Sequence, residues 1–220
     1  MATTLKSVLE RVVGAIEDEG QTTWVLADLV RYANDGQIDL LTRRPDLFVQ
    51  YIEHPLVLGW RQTIPANATK LVDVHGNLAG DRRACTKTTR SLLDAQVSGW
   101  RAFRPVDAPD HFMFDERDVK QFDVFPPATA NARLAIECTR MPAPAPIPAA
   151  EVILATLTGN VDVPDDMAVA LHHYVAFRCF NEGSEDGNAM AARTHLAIYA
   201  DILGVDIKAT LALAPKANKP

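Results

Sequence analysis

Four prolines at every second position are the feature that most restricts the fold of this chain. Pro142, Pro144, Pro146 and Pro148 stand in the stretch MPAPAPIPAA. Proline has no backbone N–H and a fixed φ, so this run is extended and cannot join the interior of a sheet. It predicts a connector over residues 141–149 that lies on a surface.

The segment before the connector has the texture of β-structure. Short stretches rich in β-branched and aromatic residues alternate there with Gly, Pro, Asn and Asp. In KLVDVH, Leu71, Asp73 and His75 alternate with two valines, and ARLAIECT shows the same period. These patterns predict antiparallel strands with one solvent-facing side, and a short helix around SLLDAQV. Residues 47–140 are therefore predicted to form a β-rich body.

Helical spacing precedes this body. Thr3 or Thr4 is suited to cap a first helix, and Thr22 or Thr23 a second. The apolar stripe of the first helix consists of Leu5, Val8, Leu9, Val12 and Ile16. The sequence Asn34-Asp35-Gly36 interrupts the second helix and is typical of a hairpin turn. The apolar stripe keeps its phase across it, however, and this favours one continuous helix.

Helical spacing also follows the connector. Pro164 suits a first helical position, and the stretch Met167–Phe180 is apolar around much of its circumference. A last helix carries apolar residues up to Leu203, and Gly204 suits its C-terminal cap. The chain is thus predicted to be α+β. Residues 1–46 and 150–204 form a helical bundle, the β-rich body is a central insertion, and residues 205–220 are an extended C-terminal tail.

Composition excludes several functional classes. The net charge is −6, and no block of Lys and Arg is long enough to predict tight, sequence-independent binding of nucleic acid. No apolar run approaches the roughly 18 to 20 residues of a membrane span. The N-terminus is amphipathic and contains acids, so we expect neither a signal nor a transit peptide. Cys85, Cys138 and Cys179 lack a C-x-x-C spacing, which predicts reduced, buried thiols in a protein made in a cytoplasm.

The stretch from His172 to Tyr199 raises the question of a metal site. His172 and His173 are adjacent, so on a helix they point about 100° apart, and Cys179 lies roughly two turns further on. Helical metal ligands need a spacing of three or four residues. We therefore predict a helical hairpin, with His195 on its second helix, and neither a metal nor a cofactor.

A loop and a basic cluster remain as candidate sites. The loop DAPDHFMFDERD offers oxygen and nitrogen ligands for a cation, but it lacks the spacing of a calcium loop and is typical of turns. Its candidate ligands are Asp107, Asp110, His111 and Asp115. The densest basic cluster is Arg82, Arg83, Lys87 and Arg90. That cluster is either a solvated hairpin face or a docking patch for an acidic neighbour or a nucleic-acid backbone. No P-loop or G-x-S-x-G motif occurs, so no catalytic residue is predicted.

The order of segments resembles a known family. MATTLKSVLERVVGAIED, WVLADLVRYANDGQIDLLTRRPD, GWRQTIP, KLVDV, HFMFDERD and FDVFPP precede a long helical stretch from VDVPDDMAVALHH to LAIYADILGV. Together they resemble the head-to-tail connector, or adaptor, proteins of tailed bacteriophages, from Thr3 to about Ala214. The resemblance implies a helical bundle that carries a β-rich domain. It also implies a virion structural protein without catalytic residues.

The resemblance further implies a ring, typically of twelve copies, at the neck of the virion. Such a ring joins the portal to the tail or nozzle, and DNA passes through it during ejection. The C-terminal tail is then expected to lie along the portal. The predicted partner-interface residues are Arg82, Arg83, Ile207, Lys208, Leu211, Leu213 and Lys216. Three alternatives stay open: a tail-tube or nozzle component, a metal-binding enzyme that uses the loop at residues 107–115, and a DNA-binding regulator.

Overall fold

The computed structural model describes residues 3–20, 23–182 and 189–205. Contacts divide the chain into two compact units, residues 1–47 with 142–220 and residues 48–141. The described residues of the first unit are mainly helical, and the second unit contains two sheets. The prediction of a mixed α+β chain, with helices towards both ends and strands in the middle, is confirmed.

The described part of the first unit contains four α-helices. They are α1 (Leu5–Ala15), α2 (Leu26–Arg43), α4 (Ala168–Glu182) and α5 (Ala189–Leu203). Helix α4 packs against the other three, as its nearly all-round apolar surface predicts. Buried leucines and valines supply the packing, among them Leu5, Leu9, Leu29, Leu171 and Val175, each fully buried.

The ends of these helices confirm two predictions and correct one. Thr4 caps α1, since its side chain accepts a hydrogen bond from the Ser7 N–H at 3.2 Å. Gly204 follows α5 with a φ of +66°, the left-handed conformation of a C-terminal cap. The prediction of a threonine cap for α2 is wrong, because that helix begins after Val25 without a side-chain cap. The buried carboxylate of Asp18 instead accepts from two N–H groups just before the helix, at Thr23 and Trp24.

The predicted continuity of α2 through Asn34-Asp35-Gly36 is confirmed. Asp35 pairs with Arg178 of α4 at 3.3 Å. Gly36 lies directly under α4, where a Cβ atom would stand 2.6 Å from Leu171 Cδ1 and 2.8 Å from Tyr174 Cδ1. Helices that approach this closely need a residue without a side chain at the contact. The turn-like sequence therefore serves the packing of α2 on α4.

Asn34 and Gln37 of α2 hold the proline-rich connector. The Asn34 side chain accepts from the Ala145 N–H at 2.8 Å and donates to the Ala145 carbonyl at 3.0 Å. Gln37 donates to Asn34 Oδ1 at 3.1 Å and accepts from the Asp162 N–H at 2.5 Å. The Asp162 side chain in turn accepts from the Ala143 N–H at 2.7 Å. Each of the two alanines between the first three prolines thus donates its N–H to a side chain of the same unit.

The second unit contains two sheets and one α-helix. The first sheet has the order β1–β7–β3 and is antiparallel throughout. The second has the order β2–β6–β5–β4. The strands are β1 (Val49–Pro55), β2 (Gly59–Thr63), β3 (Ala68–Asn77), β4 (Thr86–Lys87), β5 (His111–Phe114), β6 (Gln121–Ala128) and β7 (Arg133–Arg140). Both sheets contribute to one core, which includes Leu71, Phe112, Phe122, Leu134 and Ile136.

The strand β4 departs from the predicted antiparallel pattern. It pairs with β5 in parallel, with hydrogen bonds from Thr86 N to Asp110 O and from Thr88 N to Phe112 O, both 2.9 Å. The chain between the two strands passes through helix α3 (Arg90–Gln96), the short helix that the sequence predicts. This long crossover lets both strands run in the same direction, which a tight hairpin does not allow.

The predicted alternation in β3 is wrong. The buried positions are Ala68, Leu71, Val74 and Asn77, which recur every third residue, and Val72 is 48 % exposed. The pairing of β3 with β7 shifts register three times along the strand. Each bulge adds a residue and turns the following side chain to the other face. Strand β7 follows the prediction more closely, with Leu134, Ile136 and Cys138 fully buried.

The three cysteines are free and buried, as predicted. Burial raises the pKa of the Cys85 thiol to about 12, with a smaller contribution from the charge of Asp110. Burial also raises the pKa of Cys138 to about 11 and that of Cys179 to about 12. These thiols therefore remain protonated near neutral pH and are poor nucleophiles and metal ligands.

Candidate partner interface

The loop between β3 and β4 carries Arg82 and Arg83, two of the predicted interface residues. Asn77 holds the base of this loop and is 4 % exposed. Its backbone N–H donates to the Arg83 carbonyl at 3.0 Å, and its Nδ2 donates to the carbonyls of Arg83 and Pro109, both at 2.8 Å. Gly80 and Arg82 adopt positive φ values of +62° and +55°. The backbone is thereby fixed in a tight conformation, with Arg82 exposed to solvent.

The five other predicted interface residues belong to the C-terminal tail. They are Ile207, Lys208, Leu211, Leu213 and Lys216. All five lie outside the described residues, which end at Val205. Their part in an interface stays a prediction from the sequence.

Two of the four basic side chains in the cluster are paired with carboxylates. Arg83 contacts Asp81 at 2.6 Å and Asp110 at 3.0 Å, and these contacts raise the pKa of its guanidinium. Arg90 donates twice to the buried carboxylate of Asp123, at 2.9 and 2.6 Å. Within the described ranges, Arg82 and Lys87 form no ion pair. The cluster is therefore less positive than its sequence indicates, and this argues against a nucleic-acid footprint.

Arg82 and Arg83 line an open groove of about 380 Å³. Tyr51 and His75 lie on its wall, with their ring centroids 5.5 Å apart. The Nε2 atom of His75 lies 2.8 Å from a carboxylate oxygen of Glu137. The groove thus combines an exposed guanidinium with an aromatic side chain. Such a surface suits a partner side chain that carries a carboxylate beside apolar groups.

The turn between β1 and β2 is a contact candidate that sequence reasoning missed. Val57 and Leu58 are 61 % and 69 % exposed. The buried side chain of Gln62 fixes their backbone, because it accepts from the Val57 N–H at 2.8 Å and donates to the carbonyls of Val57 and Gly59, both at 2.9 Å. A turn that presents two large apolar side chains in a fixed conformation is suited to insertion into a partner surface. The run Leu56-Val57-Leu58 before a glycine is its signal in the sequence.

The loop at residues 107–115 does not gather its candidate ligands around one point. Each of the four has its own protein partner. The partners are Thr129 for Asp107, Arg83 for Asp110, Thr86 for His111 and Arg117 for Asp115. In residues 3–20, 23–182 and 189–205, no group of three or more His, Cys, Asp and Glu residues is arranged to hold a metal ion. The metal-binding enzyme therefore finds no assembled ligand set in that part of the chain.

The histidines of α4 and α5 lie closer together than the sequence predicts. His173 Nδ1 and His195 Nδ1 are 2.9 Å apart, and the ring of His172 packs on that of His173 with centroids 4.5 Å apart. The predicted hairpin pairing of the two helices brings His195 onto this face. Cys179 is buried and takes no part in the cluster. Of the turn acids, Glu182 binds Arg178 and Tyr32, whereas Glu185 and Asp186 lie outside the described residues.

Comparison with known proteins decides the family. A family model described as SU10 adaptor protein matches residues 3–217. The chain belongs to the SU10 adaptor protein family. A search of curated proteins found no match.

Membership of the SU10 adaptor protein family gives the chain a coarse role. It is a phage adaptor protein, and its role in the virion is structural. In the described residues, no helix is long and apolar enough to cross a membrane.

Proposed function

We propose that this adaptor forms a ring, of about twelve copies, that joins the portal to the tail at the neck of the virion. DNA passes through the ring during ejection without sequence-specific binding. The observation that carries the proposal is the match to the SU10 adaptor protein family over nearly the whole chain. In this ring, residues 1–46 and 150–204 act as a helical bundle, residues 47–140 as a β-rich body and residues 205–220 as an extended tail.

The charges support a channel that does not bind DNA tightly. The chain carries a net charge of −6. The basic cluster is partly neutralised, because Arg83 and Arg90 have carboxylate partners. Tight binding to the phosphate backbone requires several uncompensated Lys and Arg side chains on one surface. DNA is therefore expected to slide past these residues.

Three features are proposed to make the contacts with neighbouring proteins. The first is the groove around Arg82, which fits an acidic side chain. The second is the turn of Val57 and Leu58, which fits an apolar pocket. The third is the C-terminal tail, whose alternating apolar residues suit a contact with the portal.

The mass of the protein in solution tests the ring. Size exclusion with light scattering is performed on the adaptor alone, then after mixing with the portal ring of the same phage. The expected result is a stable complex that contains about twelve adaptor copies per portal ring. A monomer in both runs would contradict the proposal. Binding to an isolated tail or nozzle ring, without binding to the portal, would favour the tail-component alternative.

A substitution in the tail tests which segment makes the portal contact. Leu211→Asp places a charge where an apolar contact is expected and should weaken portal binding about tenfold or more. Ala214→Asp is the matched control, because it adds the same charge outside the predicted apolar set. Equal affinities of the two variants would show that the tail is not the portal-binding segment, while the ring itself would still be tested by the mass measurement.

A further inference from the structure

Three imidazoles meet where α4 packs on α5. His172 and His173 come from α4, and His195 comes from α5. The ring centroids of His173 and His195 are 5.1 Å apart, and those of His172 and His195 are 6.1 Å apart. Phe180 stacks on His195 with centroids 5.5 Å apart and an interplanar angle of 28°. The three rings therefore form one cluster, and Phe180 stacks on its His195 ring.

The contact between His173 and His195 depends on their protonation. At 2.9 Å the two Nδ1 atoms share one hydrogen, so one ring donates and the other accepts. A first added proton can enter at the outer nitrogen of the donor ring, and the hydrogen bond survives. A second proton must enter at the accepting Nδ1, which places two N–H groups against each other. Full protonation thus converts an attraction between the helices into a repulsion.

His172 makes protonation of the cluster still less favourable. Its Nε2 atom is buried and has no hydrogen-bond partner among the described residues. A proton there would place a charge in a dry position beside two other imidazoles. The positive charge of Arg11, on α1, also opposes protonation of His172 and lowers its pKa. In the described ranges, no carboxylate from α1, α2, α4 or α5 hydrogen-bonds or ion-pairs with any of the three rings, and α2, which also packs on α4, directs Asp35 to Arg178 and Asp39 to Tyr199.

We propose that the histidine cluster makes the α4–α5 contact a pH-sensitive joint, which is closed at neutral pH and opens when His172, His173 and His195 take up protons. The joint lies at the start of the route to the C-terminal segment, because α5 leads directly into residues 204–220. Acid therefore changes how α5 is held against α4. This property of the fold is independent of the ring.

The direction of the pH dependence follows from proton uptake. Burial, the two neighbouring imidazoles and Arg11 lower the pKa of His172 to about 4, and burial lowers the pKa of His173 and His195. An unfolded or separated helix pair takes up these protons near pH 6.5. The closed joint thus binds fewer protons than the open one, so its stability is full above pH 6.5 and falls as the pH decreases towards 4. From His172 alone, the equilibrium constant for opening at pH 4.5 is expected to rise about tenfold to a hundredfold.

Hydrogen exchange of the full chain, followed by mass spectrometry, tests the joint. Between pH 7.5 and pH 5, and after correction for intrinsic rates, amides of α4 and α5 should exchange at least tenfold faster. Amides of β7 should change little. In His195→Asn, an amide that does not titrate takes the place of Nδ1, so the acceleration should be reduced but not abolished, because His172 still takes up a proton. The matched control is His54→Asn, which removes another histidine whose pKa is lowered by burial, but in the second unit.

Equal acceleration of α4, α5 and β7, or an unchanged response in His195→Asn, would overturn the proposal. NMR titration of the histidine ring protons in the unaltered protein gives a second test that needs no variant. The proposal requires that the three cluster imidazoles titrate below pH 6. Values at or above 6.5 for all three would show that the cluster accepts protons freely and that the joint does not exist.

Discussion

Replacing Gly36 by alanine measures how closely α2 approaches α4. The added Cβ would stand 2.6 Å from Leu171 Cδ1 and 2.8 Å from Tyr174 Cδ1. Neither side chain moves away easily. Leu171 is fully buried, and the ring of Tyr174 packs against that of Tyr199 with centroids 5.4 Å apart. Alanine is a better helix former than glycine, so the expected loss is a balance of two effects.

The magnitude of each effect follows from the contact. Overpacking of this kind costs about 1–3 kcal/mol. The helix gains about 0.5–1 kcal/mol when alanine replaces glycine. The net loss in the free energy of unfolding is therefore about 1 kcal/mol. Gly14→Ala in α1 is the matched control, because a Cβ there meets nothing within 4 Å, and this variant should gain about 0.5–1 kcal/mol.

Urea unfolding followed by circular dichroism at pH 7.5 provides the comparison. The difference between the two variants removes the helix propensity and leaves the cost of the contact, about 2 kcal/mol. If Gly36→Ala were stabilised as much as Gly14→Ala, the close approach of α2 and α4 would be refuted. The explanation of the turn-like sequence in α2 would then fail with it.

Three further predictions concern the second unit and the thiols. Gln62→Leu leaves the Val57 N–H and two carbonyls without their partner. It should lower the free energy of unfolding in urea by about 1–3 kcal/mol. Gln96→Leu, at an exposed position, is the control and should change stability little. Arg82→Glu should slow association with the partner that occupies its groove by about threefold to tenfold at low salt, as measured by biolayer interferometry, and Lys87→Glu is the control of equal charge change. The three cysteines should resist iodoacetamide at pH 8 in the native protein and react fully in urea, as counted by mass spectrometry; rapid native alkylation would show that their thiols are not buried.

The sequence predicts local features better than contacts between distant segments. The continuity of α2 is readable because its apolar stripe keeps phase across Asn34-Asp35-Gly36, and the Thr4 cap is a local hydrogen bond. The alternation predicted for β3 fails because bulges depend on the pairing with β7, more than fifty positions further along. The spacing of polar and apolar residues carries no sign of such an insertion.

The candidate sites show the same division. Arg82 and Arg83 were singled out by charge alone, but the partner of Arg83 across the unit, Asp110, is brought close only by the fold. The histidine cluster was missed because helix geometry separates His172 from His173 and says nothing of a third ring on another helix. The buried role of Gln62 has no local signature, since polar residues in strands are usually exposed.

The hydrogen bonds of the connector restrict the changes in length that it can accommodate. Ala143 and Ala145 donate their N–H groups to Asp162 and Asn34, and Pro144 between them has no N–H to donate. Removing one residue just ahead of Ala143 would shift Pro144 and Pro146 into the positions opposite the two acceptors. Removing two would restore the match. Length changes in this stretch, natural or engineered, are therefore expected to be tolerated in steps of two residues.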